Sequence, residues 1–180
     1  MRYHYDWEFK ENGSTIEPIS LGMVADDGRE LYIINTRAIN EFRMRKTAGL
    51  LDETDRWLEE NVFTHISFED EDKYGFDFSE QPDRPGAGQV VYDFVVNALD
   101  WSTGPQEIEL WGYFAAYDHV CLSQLFGRMI DLPWPMPMYT NELMTIRKGR
   151  SKPPRPANLP EHNALADAKY QKLIYEAWSK

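Results

Sequence analysis

Residues 2–35 read RYHYDWEFKENGSTIEPISLGMVADDGRELYIIN, and this stretch decides the fold. Arg2 to Phe9 is rich in aromatic residues (Tyr3, Tyr5, Trp7, Phe9) and reads as a first strand. Asn12-Gly13-Ser14 is a turn signal. Ile16 to Ala25 reads as a second strand, with Ile19, Leu21, Met23 and Ala25 on one face at a period of two. Pro18 belongs at an edge or at the strand start, because it has no N–H to give to a ladder. Gly22 allows a close backbone approach. Asp26-Asp27-Gly28 is a hairpin turn, and Leu31 to Asn35 is the third strand. Three strands joined by short turns make an antiparallel meander.

Helical spacing follows this start, weakly at Arg43 to Leu51 and more clearly at Thr54 to Val62. His65 to Pro85 is acidic, aromatic and broken by Gly and Pro, and reads as loop with a short strand in it. Gln89 to Trp101 repeats apolar residues (Val91, Phe94, Val95, Ala98, Leu99) at helical spacing. Glu107 to Phe114 is a fourth strand, and Tyr117 to Met129 a helix carrying Val120, Leu122, Leu125 and Phe126. Leu132 to Pro137 cannot be regular, since each proline fixes φ and removes a donor. Asn141 to Arg147 reads as a short helix. Ser151 to Pro160 holds four prolines and reads as an extended strap. Ala164 to Trp178 closes the chain as a helix with a stripe of Ala166, Tyr170, Leu173 and Ala177. A β-β-β, α, β, α, α order places helices against one mixed sheet, an α/β layout.

The chain has 180 residues, 42% of them hydrophobic, which suits one domain spanning 1–180 with a proper core. Its formal net charge is −11. The stretch from Asp52 to Asp83 holds twelve acids and two bases, a net charge of −10, so the remainder is close to neutral. Such a balance argues against a basic nucleic-acid coat protein or a polybasic membrane binder. An anionic ligand stays possible at two local basic clusters. One is Arg37, Arg43, Arg45 and Lys46; the other is Arg147, Lys148, Arg150, Lys152 and Arg155. Most of these residues read as a solvated face. Cys121 is the single cysteine, which excludes an intrachain disulfide. No apolar run reaches the ~20 residues of a membrane span, and MRYHYDWEF (1–9) lacks the long apolar run of a signal peptide, so none is expected. The expectation is a reduced, cytoplasmic protein without a membrane partner.

Asp6 and Glu8 stand at i and i+2 on the first strand, so their carboxylates share a face. Two adjacent acids on an apolar strand repel unless neutralised, and a hard divalent cation does that well. Asp118 follows the fourth strand in WGYFAAYDHVCLSQL (111–125), in a first helical turn where the helix dipole welcomes an acid. His119 reads as a surface or packing residue rather than a ligand. His162 and Asp167 come in HNALADA (162–168). They are five residues apart, so they converge only if His162 precedes the helix, and Asn163 is a suitable N-cap for that.

The joint order of these pieces resembles the DEDDh family of 3′→5′ exonucleases, which includes RNase T, oligoribonuclease and proofreading subunits. The match lies in D-x-E on the first strand, Asp118 after the fourth, and H-x4-D opening the last helix. Within that superfamily the segments YDWEF (5–9), TIEPISLG (15–22), AYDHV (116–120) and HNALADA are most similar to the short actinobacterial exoribonucleases acting on adenylate-rich RNA. The resemblance implies a ribonuclease H-like fold and two Mg²⁺ ions, with Mn²⁺ as a substitute. It implies that Asp6 bridges both ions and that Glu8 and Asp167 hold the one that activates water. Asp118 would serve the leaving-group side, and His162 would be the general base. The substrate implied is a single-stranded RNA 3′ end, or its DNA counterpart, and the assembly implied is a homodimer. Phe9 is placed to stack on a terminal base. Arg147, Lys148, Arg150 and Lys152 are the candidate contacts to the nucleic-acid backbone. Trp7 alternates away from the acids and reads as core. Two other readings are a non-catalytic nucleic-acid-binding module on the same fold and a phosphohydrolase acting on short nucleotides.

Overall fold

The computed structural model of the chain describes residues 1–78, 86–97, 99, 102 and 107–180. Three strands open it: β1 (Arg2–Glu11), β2 (Ile16–Ala25) and β3 (Glu30–Asn35). Helices α1 (Thr36–Thr47), α2 (Glu53–Asn61) and α3 (Phe68–Tyr74) follow, then the two-residue strand β4 (Gly75–Phe76) and helix α4 (Ala87–Val96). Strand β5 (Glu109–Gly112) leads into α5 (Ala116–Gln124), and β6 (Asn141–Glu142) into the short α6 (Leu143–Ile146). Helix α7 (Ala164–Trp178) ends the chain. The strands form one sheet in the order β4-β3-β2-β1-β5-β6. The pairs β1–β2 and β2–β3 are antiparallel, and β3–β4, β1–β5 and β5–β6 are parallel. The expected meander and mixed α/β sheet are therefore present, in an arrangement consistent with a ribonuclease H-like fold.

Alternation along β1 sorts the two faces of the sheet. Tyr3, Tyr5 and Trp7 enter a core with Leu21, Met23, Ile33, Leu110, Val91 and Leu122. The side chains between them, His4, Asp6 and Glu8, face α7 on the opposite side. That face also holds Gly22, and a Cβ there would lie 2.2 Å from the Ala164 carbonyl oxygen and 2.3 Å from Leu165 Cα. Both contacts are backbone, so no side chain can yield. We expect Gly22→Ala to push α7 off the sheet and to cost about 3 kcal/mol or more. A urea midpoint equal to that of the parent chain would refute this close approach.

Several elements depart from the sequence reading. Ile19 leaves the stripe of Leu21 and Met23, because the β1–β2 register shifts between Glu8 and Phe9. The bulge turns Ile19 to the other side, where it is buried with Leu58 and Val62 of the α2 region. Pro18 lies before the β2–β3 ladder starts at Ser20, as a residue without an N–H must, and its carbonyl accepts from Asn35 Nδ2 at 2.8 Å. Helix α1 begins at Thr36, well ahead of the expected Arg43, because Asn35 caps it. Only Ile39 and Phe42 of α1 are buried, so its apolar periodicity is faint.

The acidic region expected to be loop contains α3, started by a capping box between Ser67 and Asp70. The expected short strand is β4. Asn141–Glu142 is strand rather than helix, pairing with Trp111 and Gly112. On α5, Val120 is 42% exposed instead of joining Leu122 in the core. On α7 the buried set differs from the expected stripe: Ala166 and Tyr170 are buried with Gln171, Ile174 and Trp178, whereas Leu173 and Ala177 are only half-buried. This helix is covered by the sheet on one side and by the proline-rich strap on another, where Tyr170 donates its hydroxyl proton to the Pro153 carbonyl at 2.6 Å. Ala98 and Trp101 of the expected fourth helix, and Glu80 and Asp83 of the acidic stretch, lie outside the described residues.

Much of the local negative charge is consumed within the fold. Asp55 is fully buried and meets Lys10 at 2.8 Å and Arg45 at 2.9 Å. Glu71 takes both terminal nitrogens of Arg43, and Glu59 pairs with Lys46. Three members of the first basic cluster thus bind α2 and α3 to the rest of the molecule. No helix among the described residues is long and apolar enough to cross a membrane.

Candidate active site

The face of β1 turned toward α7 carries Asp6 and Glu8, and α7 supplies Asp167 from its first turn. One carboxylate oxygen from each of the three lies within 4.8 Å of the other two, a group that could hold a metal ion. Asn163 caps α7, its side chain accepting from the Ala166 N–H at 3.0 Å, and this places Asp167 over the sheet. Asp118 arrives from α5 and accepts a 2.7 Å hydrogen bond from the Trp7 N–H, between the two acids of β1. The turn before α5 is fixed by Glu142, whose two carboxylate oxygens accept from the Phe114 and Ala115 N–H groups, both at 3.0 Å. Phe114 there adopts φ 55°, a left-handed backbone that is uncommon for a non-glycine residue and costs energy to hold. Gln171 Nε2 donates to Asp6 Oδ1 at 2.6 Å and orients that carboxylate.

Asp6, Glu8, Asp118, Asp167 and Gln171 line a cleft of about 420 Å³ that also includes Phe9, Tyr113, Phe114, Lys152, Arg155 and His162. His162 sits ahead of α7 at φ 60°, with its ring edge-on to Trp57 at 4.9 Å between centres. It therefore lies in the loop that enters the helix. Phe9 meets Tyr117 at 5.8 Å in an edge-to-face pair at the end of β1. Trp7 is buried in the opposite core, edge-on to Phe78.

The four basic residues singled out from the sequence separate. Lys152 lies in the cleft with its ammonium 3.8 Å from the centre of the Tyr113 ring. Arg150 instead holds the end of α7, donating to the carbonyls of Trp178 at 2.7 Å and Lys180 at 2.8 Å. Arg147 donates to the Arg150 carbonyl at 3.0 Å, and Lys148 occupies an exposed turn at φ 45°. Gln171, Glu142, Trp57 and the role of Arg155 were not found from the sequence. Only Arg155, as a member of a basic cluster near H-x4-D, left any signal there.

Concentrating carboxylates where burial strips them of solvent penalises their charge. Burial raises Asp6 well above the usual carboxylate range; Asp118, Glu8 and Asp167 add to the effect, and Arg155 opposes it. Burial pushes Glu8 up to about 8, reinforced by Asp167 and Asp118. Asp118 rises to about 7, again mainly through burial, while the Trp7 N–H works against the rise. A site of this kind is short of positive charge. Oxygen donors only, closely spaced and mutually repelling, fit a hard divalent cation.

A mixed sheet of this order, with acids of its first strand meeting an acid of its last helix, is consistent with a ribonuclease H-like fold. The family model described as the 3′-5′ exoribonuclease Rv2179c-like domain matches residues 1–178. Among curated proteins, the 3′-5′ exoribonuclease Rv2179c of Mycobacterium tuberculosis (strain ATCC 25618 / H37Rv) is 36% identical over 179 residues, covering 95% of this chain and 89% of its own length. The 3′-5′ exoribonuclease MT2234.1 of the CDC 1551 / Oshkosh strain matches with the same identity and coverage. The chain belongs to the Rv2179c-like 3′-5′ exoribonuclease family.

Proposed function

We propose that the chain, working as one domain, is a divalent-metal-dependent exonuclease that removes nucleotides from the 3′ end of single-stranded RNA. The observation that carries this reading is the meeting of Asp6, Glu8 and Asp167 within 4.8 Å in a cleft that also holds His162. Family membership supports the direction and the RNA substrate. In this reading Asp6, Glu8, Asp118 and Asp167 would hold two Mg²⁺ ions, with Asp6 serving both, Glu8 and Asp167 the one that activates water, and Asp118 the leaving-group side. Mn²⁺ would substitute. Two such ions supply Lewis-acid stabilisation of the attacking and leaving oxygens.

The chain's own residues do the rest. His162 takes the proton from the attacking water, since imidazole is the side chain that ordinarily exchanges protons near neutral pH. As the water oxygen bonds to phosphorus, the P–O3′ bond breaks and the shortened RNA leaves. Lys152, at the rim, meets the phosphate backbone, and Phe9 stacks on a terminal base. Arg147 and Lys148 extend the basic path outside the cleft. Arg150 contributes through the strap it anchors. Asp6, Glu8, Asp118 and Asp167 are all in place, which favours an enzyme over a binding module. The reading includes a cytoplasmic homodimer.

His162→Ala should lower kcat by about 10²–10⁴-fold and leave divalent-cation binding unchanged, as read by thermal shift with Mn²⁺. Equal activity in the variant would remove the histidine from the reaction. Substrate class is tested by offering the same sequence as 5′-labelled RNA and DNA. Faster shortening of RNA is expected, and equal rates would replace the RNA reading by a general single-strand exonuclease.

A further inference from the structure

Arg155 stands in the strap between α6 and α7, and its side chain is only 21% exposed. Nearly all of the guanidinium is engaged. One terminal nitrogen donates to Asp167 Oδ1. The other donates to the carbonyls of Leu159 and Pro160, both at 3.1 Å. The plane lies 4.2 Å from the centre of the Tyr170 ring. Its Nε is buried without a hydrogen bond, with a Glu161 carboxylate oxygen 3.9 Å away. A single side chain thus joins the acid at the end of the H-x4-D motif to the backbone two and three residues before its histidine.

The strap has other anchors upstream. Trp178 Nε1 donates to the Ser151 carbonyl at 2.9 Å, and Tyr170 donates to Pro153. Between Arg155 and the Asn163 cap, the guanidinium supplies the described side-chain hydrogen bonds to the backbone. Within that stretch His162 holds φ 60°, a conformation its neighbours must maintain. We infer that Arg155 is a positioning residue, clamping the loop that bears His162 to Asp167 so that base and acid are presented as one rigid unit. This rests on the assignment of His162 as the base.

The fork geometry matters here, because a lysine keeps the charge but cannot reach a carboxylate and two carbonyls together. The test uses Arg155→Ala, Arg155→Lys and each combined with His162→Ala, on the full chain with labelled RNA. Positioning predicts that kcat falls by about 10²-fold, the cost of misplacing a reacting group by about an ångström. KM should stay near the parent value, lysine should not rescue, and neither change should matter further in the His162→Ala background. A direct contact to a substrate phosphate predicts the opposite pattern: a raised KM, rescue by lysine, and losses that multiply in the double variants. That pattern would overturn the inference.

Hydrogen exchange supplies a readout independent of activity. In Arg155→Lys, amides within 157–163 should exchange at least ten times faster, while those of β1 and the middle of α7 keep their rates. Unchanged exchange in 157–163 also overturns the clamp. A parent chain without exonuclease activity would instead defeat the proposed function, and the exchange result would still decide whether Arg155 holds the loop.

Discussion

Replacing Asp6 by Asn is expected to abolish RNA shortening and, at the same time, to raise the melting temperature of the protein freed of divalent cations. Asp6 faces Asp118, Glu8 and Asp167, and its carboxyl is held well above the normal carboxylate range by burial first and by those three acids next. Asparagine keeps the shape and an oxygen for Gln171 Nε2, which donates to Asp6 at 2.6 Å. It removes a charge that its surroundings oppose, so the fold gains. It also removes the proposed bridging ligand, and the loss of rate should exceed the roughly 10²–10⁴-fold expected for a missing general base. Gel assays and calorimetry on the same preparation check both halves. A variant that is inactive but less stable would mean that Asp6 is a structural hydrogen-bonding residue; an active one would remove it from the site.

The second large effect is on stability against pH. Glu8 moves from a reference value of 4.5 to about 8, and Asp118 from 3.8 to about 7. Both shifts are upward, so between these limits the folded chain binds protons that the unfolded chain has released. Stability from these groups is therefore fully present below about pH 4 and is lost as pH rises through 7 to 8. Across pH 6 to 8.5 the cation-free protein should lose stability on the order of a few kcal/mol. Millimolar Mg²⁺ should recover most of that loss at pH 8.5 and change little at pH 6, where protons compete for the same oxygens. In Asp6→Asn the slope should flatten. A melting temperature that climbs over this range, or one that Mg²⁺ leaves untouched at pH 8.5, would show that the carboxylates are neutralised in some other way.

The parts of this molecule legible in its sequence are those where one short-range rule dominates. Strict alternation in β1 placed Asp6 and Glu8 together on the face opposite Trp7, and Asn163 announced the start of α7. Gly22 stands where backbone meets backbone. The parts that were hidden depend on residues far apart in the chain. Ile19 changes sides because of a register shift that only the pairing with β1 creates. Helix α3 has a capping box, but it is short, highly charged and has no buried residue to give a period. Arg45 and Lys46 look like a solvated face until α2 brings Asp55 and Glu59 to them.

In the candidate site, the resemblance to the DEDDh family named Asp6, Glu8, Asp118, His162 and Asp167, and all five line one cleft. Their support came from elsewhere. Gln171 reaches Asp6 across 165 positions of sequence, and Glu142 reaches the turn before α5 across 27 and 28. Arg147, Lys148, Arg150 and Lys152 look alike as a basic run. Backbone carbonyls at the end of α7 claim Arg150, while the ring of Tyr113 lies beneath Lys152. Charge alone cannot separate those roles.

The most direct measurement follows a 5′-labelled single-stranded RNA on a sequencing gel, with Mg²⁺, with Mn²⁺ and with EDTA, beside Asp6→Asn. The account predicts a ladder that shortens from the 3′ end with either cation and is absent with EDTA and in the variant. Full-length RNA under every condition, or shortening that persists in EDTA or in Asp6→Asn, would contradict it.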